Sequence, residues 1–224
     1  LVKKAMKQGK AVVSANKKMI AEHFSELLAL QKEYDVPFLY EAACCASIPI
    51  IRNLEEYYDN DLLESIEKIV NGSTNYILTR TANEPVSYAE ALKDAQEKGY
   101  AESNPVLDTG GFDAKYKLLI LLAHAFGVVC RPDDIVNFGI GNLGDLELNY
   151  AGEKGLKIKL VAHALKTAEG QVQCLVMPKF VGPGSKLFTV DDVYNGVITK
   201  TSFADIQFFV GKGAGAHPTA SAVL

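Results

Sequence analysis

The chain has 224 residues, 48% of them hydrophobic and 22% charged, the composition of a packed globular protein long enough for one large domain or two small ones. Its 27 acids against 23 lysines and arginines give a formal net charge of −4, and the bases are scattered, so no basic block is available to track a nucleic-acid backbone. The longest apolar run, residues 118–129, is interrupted by His124 and is shorter than the roughly 20 residues that cross a bilayer, so neither a nucleic-acid nor a membrane partner is expected.

In chain order, residues 1–8 read as the end of a helix stopped by Gly9. A short apolar strand at 11–13 follows, then an amphipathic helix from about 18 to 34, then a second strand at 38–41 after Pro37. Strand, helix and strand make a βαβ unit, which needs parallel neighbours to cover its edges. A helix at 50–58, a strand-like alternation at 62–70, and helices at about 74–81, 87–98 and 111–126 come next. Ser87 with Glu90 three residues later forms the pattern of a capping box. Beyond Pro132 the sequence turns β-rich, with strands expected at 157–164, 171–180, 196–201 and 205–210, separated by Gly and Pro. These elements imply an α+β fold with helices packed on a mixed or antiparallel sheet. The last segment sets a glycine-rich turn, residues 211–215, ahead of a helix with Pro218 in its first turn. Such a start can receive an anion, though a plain loop entering a helix looks the same. Leu1 is not a methionine and Leu224 falls within a helical-looking run, so both ends are expected to be cut.

Cys44, Cys45, Cys130 and Cys174 show neither C-x-x-C spacing nor the density of a secreted disulfide scaffold, and a reducing cytoplasmic setting is expected. His23, His124, His163 and His217 lie on separate elements without ligand spacing. Asn71-Gly72-Ser73 matches a glycosylation sequon, but no signal peptide opens the chain and the match is read as chance.

The stretch richest in chemistry is 99–117. Asp113 and Lys117 are four apart and share one face at the start of a helix, with the acid at the N-terminal end that the helix dipole favours. The run 118–123 that follows is apolar all round, which marks the helix as buried. A carboxylate and an ammonium held there would lose water and interact strongly; an ordinary surface pair at a helix end has the same spacing. Lys17 follows Ser14-Ala15-Asn16 at the carboxyl end of the first strand, where open parallel sheets bind ligands, although a solvated helix turn is the common fate of such a lysine. Glu41 leads into the small residues of 42–49, which could hold a hard cation beside free carbonyls or simply make a tight turn. No clear base accompanies Cys44 and Cys45, so a cysteine nucleophile has little support.

Taken together, Ser14-Ala15-Asn16-Lys17, the 41–49 segment, Asn71-Gly72-Ser73-Thr74-Asn75-Tyr76, Gly99-Tyr100-Ala101-Glu102, the 108–117 segment, and Gly213-Ala214-Gly215 with Pro218-Thr219-Ala220 resemble the homoserine dehydrogenase family, in the family's order and across nearly the whole chain. The resemblance implies NAD(P)-dependent interconversion of L-homoserine and L-aspartate 4-semialdehyde, a step of threonine, methionine and isoleucine biosynthesis, by a homodimer. It makes Lys117 the general acid/base and Lys17 a second catalytic cation. Desolvation and a neighbouring cation can lower such a lysine's pKa, while a carboxylate partner pulls the other way. By the same analogy Glu102 takes the substrate's α-ammonium, Asp113 and Asp108 complete the polar wall, and Tyr100 and Ser73 line the pocket. Ala15, Lys17, Gly99 and Gly215 match positions that touch NADP or NAD. Glu41 with the carbonyls of Cys44, Ala46 and Ile48 resembles the family's sodium site, although Cys44-Cys45-Ala46-Ser47 replaces a more usual valine- and glycine-rich run.

No G-x-G-x-x-G loop follows an opening strand, so most of the cofactor domain is expected outside this chain. The implied organisation is a remnant of a Rossmann-type nucleotide-binding domain at 1–40, a substrate-binding, catalytic and dimerisation domain at 41–210, and a C-terminal segment, 211–224, that returns to the nucleotide-binding domain. The alternative is a fragment that dimerises but neither binds NAD(P) alone nor turns over. A neighbouring enzyme class, aspartate-semialdehyde dehydrogenase, would require an activated cysteine.

Overall fold

The computed structural model describes residues 1–56 and 62–224. Gly9, at φ +72°, ends α1 (Val2–Lys7) and turns the chain into β1 (Val12–Val13). The expected single helix at 18–34 is two, α2 (Lys17–Glu22) and α3 (Phe24–Tyr34), broken at His23. β2 (Phe38–Leu39) pairs in parallel with β1, Val12 opposite Phe38 and Val13 opposite Leu39, as the βαβ reading requires. The strand stops two residues before Glu41, which opens a 3-10 turn instead. Glu41 leaves the strand because its carboxylate is used elsewhere: Oε1 accepts from Ile51 N–H at 2.9 Å and Oε2 from Arg52 N–H at 2.8 Å, satisfying the first turn of α4 (Ile50–Glu56). Positions 57 and 58 of the expected helix lie outside the described residues.

The remaining α-helices and strands among the described residues are β3 (Leu63–Ile69), α5 (Gly72–Asn83), α6 (Tyr88–Glu97), α7 (Val106–Thr109), α8 (Phe112–Phe126), β4 (Val136–Asn137), α9 (Asp145–Glu153), β5 (Lys157–Lys166), β6 (Val172–Val181), β7 (Tyr194–Thr201), β8 (Asp205–Lys212) and α10 (Ala216–Val223). Six strands form one mixed sheet in the order β4-β6-β5-β3-β7-β8, antiparallel except for the parallel β4–β6 pair. The capping box at Ser87 and Glu90 forms as expected. β4, α7 and α9 had no sequence expectation: the first two span two and four residues, and α9 buries Ala151 alone, too little for a periodic signal.

α5 and α8 lie across one face of the sheet. Leu118, Leu119, Ile120, Leu121 and Leu122 of α8 are all buried, so the helix is apolar on every side and each side chain contributes roughly 2 kcal/mol of burial. α2 packs on α8 while α3 packs on α1, and the break at His23 lets one apolar segment serve both surfaces. Gly111, at φ +80°, starts α8, and a Cβ on Gly139 would fall 2.1 Å from the Thr109 carbonyl, so the loop after β4 clamps the helix start through backbone contact. The opposite sheet face carries a smaller cluster of Ile69, Val161, Val181, Leu187 and Val190.

Lys159 of β5 is fully buried and is held by Asn75 Oδ1 at 3.0 Å, the Val190 carbonyl at 2.5 Å and Asp191 Oδ1 at 3.0 Å. Lys157 takes the other Asp191 oxygen at 2.6 Å. Removing the charge from Asp191 strands a buried ammonium, so Asp191→Asn is expected to cost about 3 kcal/mol in urea unfolding. Glu64→Gln, which breaks the exposed pair with Lys200, is the control and should leave the midpoint unchanged. Equal midpoints for the two variants would contradict this role for Asp191.

Candidate active site

The site lies where β3 runs into α5 and α7 into α8. Asn71, at the end of β3, caps α5: its Oδ1 accepts from Thr74 N–H at 2.8 Å and Thr74 Oγ1–H at 2.9 Å. Asp113 sits in the first turn of α8, with Lys117 one turn later, and the two are 4% and 6% exposed, so this is not a surface pair. Lys117 Nζ lies 2.9 Å from Asp113 Oδ2 and donates to the Val70 carbonyl at 2.5 Å. Lys17, from the start of α2, reaches the other carboxylate oxygen at 2.9 Å. Asn71 Nδ2 donates to Asp113 Oδ2 at 2.9 Å and to Asp108 Oδ1 at 2.7 Å.

Burial opposes the charge on Asp113, yet the Lys117 and Lys17 ammoniums and the Asn71 amide hold its carboxyl down at about 2. Burial also opposes the charge on Lys117, but the Asp113 carboxylate outweighs it and raises the amine above the ordinary lysine value. Of the two influences weighed from sequence, the carboxylate prevails, and Lys117 rests as an ammonium. Asp108, without an ion pair among the described residues, is pushed up, first by burial and then by the Asp113 charge.

A cavity of about 390 Å³ opens on this cluster, lined by Lys17, Ser73, Gly99, Tyr100, Asp108, Asp113, Lys117 and Gly215 together with Asn71, Gly72, Val193, Lys212 and Ala214. It thus gathers most of the residues chosen from sequence. Glu102 stands on an adjoining cavity of about 110 Å³ that shares Lys17, Asp108 and Asp113. Ser73 Oγ donates to the Tyr100 carbonyl at 2.5 Å, which ties the α5 start to the loop after α6. Ala15 lines neither cavity; it is exposed and its carbonyl accepts from Lys17 N–H at 3.0 Å. A larger cavity of about 570 Å³, between the β2 end and α10, includes Glu41 but none of the charged residues around Lys117.

Glu41, Cys44, Ala46 and Ile48 are brought together in the turn ahead of α4, with Ala46 at φ +42°. Burial pushes both the Cys44 and Cys45 thiols up, so they are protonated core groups rather than nucleophiles or thiolate ligands. Oxygen donors remain, one carboxylate and three carbonyls, the type that a hard cation takes. Glu41's own oxygens already serve α4, and the Ile48 carbonyl accepts from Ile50 N–H at 2.8 Å.

Sequence reasoning passed over Asn71 as a site residue, although its cap position before Gly72 was the available signal. It also missed Lys212 and Val193, which reach the cavity only through the β7–β8 fold-back. Lys68 is the larger surprise: it is fully buried in β3, its Nζ has no hydrogen-bond partner among the described residues, and burial takes its pKa down to about 8.

Residues 49–224 match the family model for homoserine dehydrogenase. The chain is 37% identical over 223 residues to the homoserine dehydrogenase of Lactococcus lactis, covering all of this chain and 52% of that protein. Its fold superposes with a TM-score of 0.95 on the crystal structure of a homoserine dehydrogenase from Thiobacillus denitrificans, at 35% identity, covering 99% of this chain and 51% of that one. A hyperthermophilic archaeal homoserine dehydrogenase mutant in complex with NADPH is similar at a TM-score of 0.83 and 29% identity, covering 99% of this chain and 64% of that one. The chain spans about half the length of the curated relatives it matches. With the family model spanning 49–224 and Asp108, Asp113 and Lys117 seated inside that match, the chain belongs to the homoserine dehydrogenase family.

Proposed function

We propose that the protein containing this chain interconverts L-aspartate 4-semialdehyde and L-homoserine with NADP or NAD. The observation that carries this is the buried Asp113–Lys117 pair on the wall of the 390 Å³ cavity. An ammonium has three N–H donors. Lys117 spends one on Val70 and one on Asp113, which leaves the third for a substrate oxygen. In the reducing direction that proton passes to the aldehyde oxygen as the carbon is reduced; in the oxidising direction the neutral amine receives the hydroxyl proton. Because Asp113 keeps Lys117 charged, the resting site is set for reduction.

The nicotinamide, when bound, supplies or accepts the hydride. The NADPH complex of the archaeal relative supports this choice. Glycine backbone at Gly99 and Gly215 leaves those positions of the cavity wall free of side chains, which fits close approach by a flat ring. Asp108, whose carboxylate lacks an ion pair among the described residues, and Glu102 on the adjoining cavity supply anions for the substrate's α-ammonium. Ser73 and Tyr100 line the same space. Lys17 neutralises the second oxygen of Asp113 and, being 41% exposed, connects the buried carboxylate with solvent. Glu41 and the carbonyls of Cys44, Ala46 and Ile48 would hold a structural Na⁺. The homodimer is proposed through the sheet face that carries Met177, Ile206, Phe208 and Val210, three of which are exposed large apolar residues. Residues 1–40 and 211–224 are assigned to the nucleotide-binding part and 41–210 to substrate, catalysis and dimerisation. Family membership favours this oxidoreductase reading over a non-catalytic fragment.

In the full-length protein, Lys117→Ala is expected to lower kcat by about 1,000-fold with little change in KM for the semialdehyde, measured by NADPH consumption. An unchanged kcat would remove Lys117 from this role.

The raised pKa of Lys117 and the depressed one of Asp113 also set the pH dependence. Asp113's contribution to stability is present above its unfolded value and is lost as pH falls toward about 2, while that of Lys117 is present below its unfolded value and is lost as pH rises through its raised one. The pair therefore stays charged across the neutral range. Homoserine oxidation, which needs the neutral amine, should show kcat/KM rising with pH into the alkaline range, and semialdehyde reduction should not. The opposite dependence would rule out an ammonium resting state.

A further inference from the structure

Asn71 does two jobs with one amide. Its oxygen is committed to the start of α5, accepting from both Thr74 N–H and Thr74 Oγ1–H. That commitment fixes which end of the amide faces the site, because turning it over would break both bonds. The NH₂ must then face inward, and its nitrogen lies 2.9 Å from Asp113 Oδ2 and 2.7 Å from Asp108 Oδ1. The side chain is almost wholly buried, so water does not readily substitute for it.

Two carboxylates brought together in a buried wall repel one another, and a rotating carboxylate would present the wrong oxygen to Lys117. Asp113 avoids this only if each oxygen has a fixed partner. Oδ1 has Lys17; Oδ2 has Lys117 and the Asn71 amide. We infer that Asn71 is a positioning residue of the catalytic pair: it holds Asp113 in the rotamer that bridges both lysines and keeps Asp108 beside it, facing the substrate cavity. This deepens the proposed dehydrogenase reading and rests on it for its kinetic consequences. Ser or Asp at this position would still cap α5, but neither supplies a neutral amide donor to the two acids.

The test separates the cap from the lock. In the full-length protein, Asn71→Ser keeps the cap and should stay folded at the assay temperature, with a lowered thermal midpoint from the two lost bonds to buried acids, while kcat falls about 100-fold, the cost of a reacting group misplaced by around an ångström, with KM for NADPH unchanged. A crystal structure of that variant should show Asp113 no longer bridging Lys17 and Lys117. Asn71→Asp adds a third carboxylate, which lacks a donor when ionised and regains one when protonated, so its kcat should recover as pH is lowered from neutrality. A merely structural cap would give neither the kcat loss in folded Asn71→Ser nor that rising acid limb. Wild-type kcat in Asn71→Ser, or a pH profile in Asn71→Asp that matches wild type, overturns the inference. Absence of turnover in the wild-type protein would instead bring down the dehydrogenase reading, and the variant's crystal structure then decides this one: an Asp113 that still bridges both lysines refutes it.

Discussion

One buried carboxylate shared between two ammonium groups holds the site together. Asp113 lies in the opening turn of a helix whose middle, residues 118–122, is wholly apolar, and it is itself buried, so its charge has little solvent to stabilise it. Lys117, Lys17 and Asn71 provide that stabilisation, and each comes from a different direction: the same helix, the start of α2, and the end of β3. Closing the ion cluster therefore fixes the relative positions of three elements. The electrostatics that organise the fold locally also charge Lys117 and turn it toward the cavity, so stability and chemistry share the same interactions.

The surrounding architecture makes this arrangement rigid. The loop at Gly139 bears on the backbone of Thr109 and Gly110, and Asn137 donates to the Gly110 carbonyl at 2.7 Å, so α8 cannot slide along its axis without disturbing β4. Lys117 donates to Val70 at the end of a central strand, which ties the helix to the sheet. Lys68, two residues before Val70 and within β3, is a buried amine without a hydrogen-bond partner among the described residues, and its burial costs stability.

Much of this was legible in the sequence because it is written in local patterns. The i,i+4 spacing of Asp113 and Lys117 ahead of an unbroken apolar run marked both the helix and its burial, and the Ser87–Glu90 pattern gave the start of α6. The strands of the sheet other than β4 followed from alternation and Gly or Pro punctuation. What escaped was set by tertiary contact. The break at His23 depends on two helices that α2 and α3 must meet separately, and Glu41 leaves its strand to cap a helix ten residues on. Lys212 and Val193 reach the cavity through strand pairing across the β7–β8 hairpin, which single-chain periodicity does not reveal. The family was visible through the joint order of several short segments rather than through any one of them.

The most direct test is a crystal structure of the full-length protein with homoserine and the oxidised cofactor. The account predicts that the substrate's γ-hydroxyl takes the remaining hydrogen-bond position on Lys117 Nζ while Asp113 keeps both of its lysines. A substrate bound in the cavity with its hydroxyl on another group, and Lys117 still turned to Val70 and Asp113 alone, would contradict it.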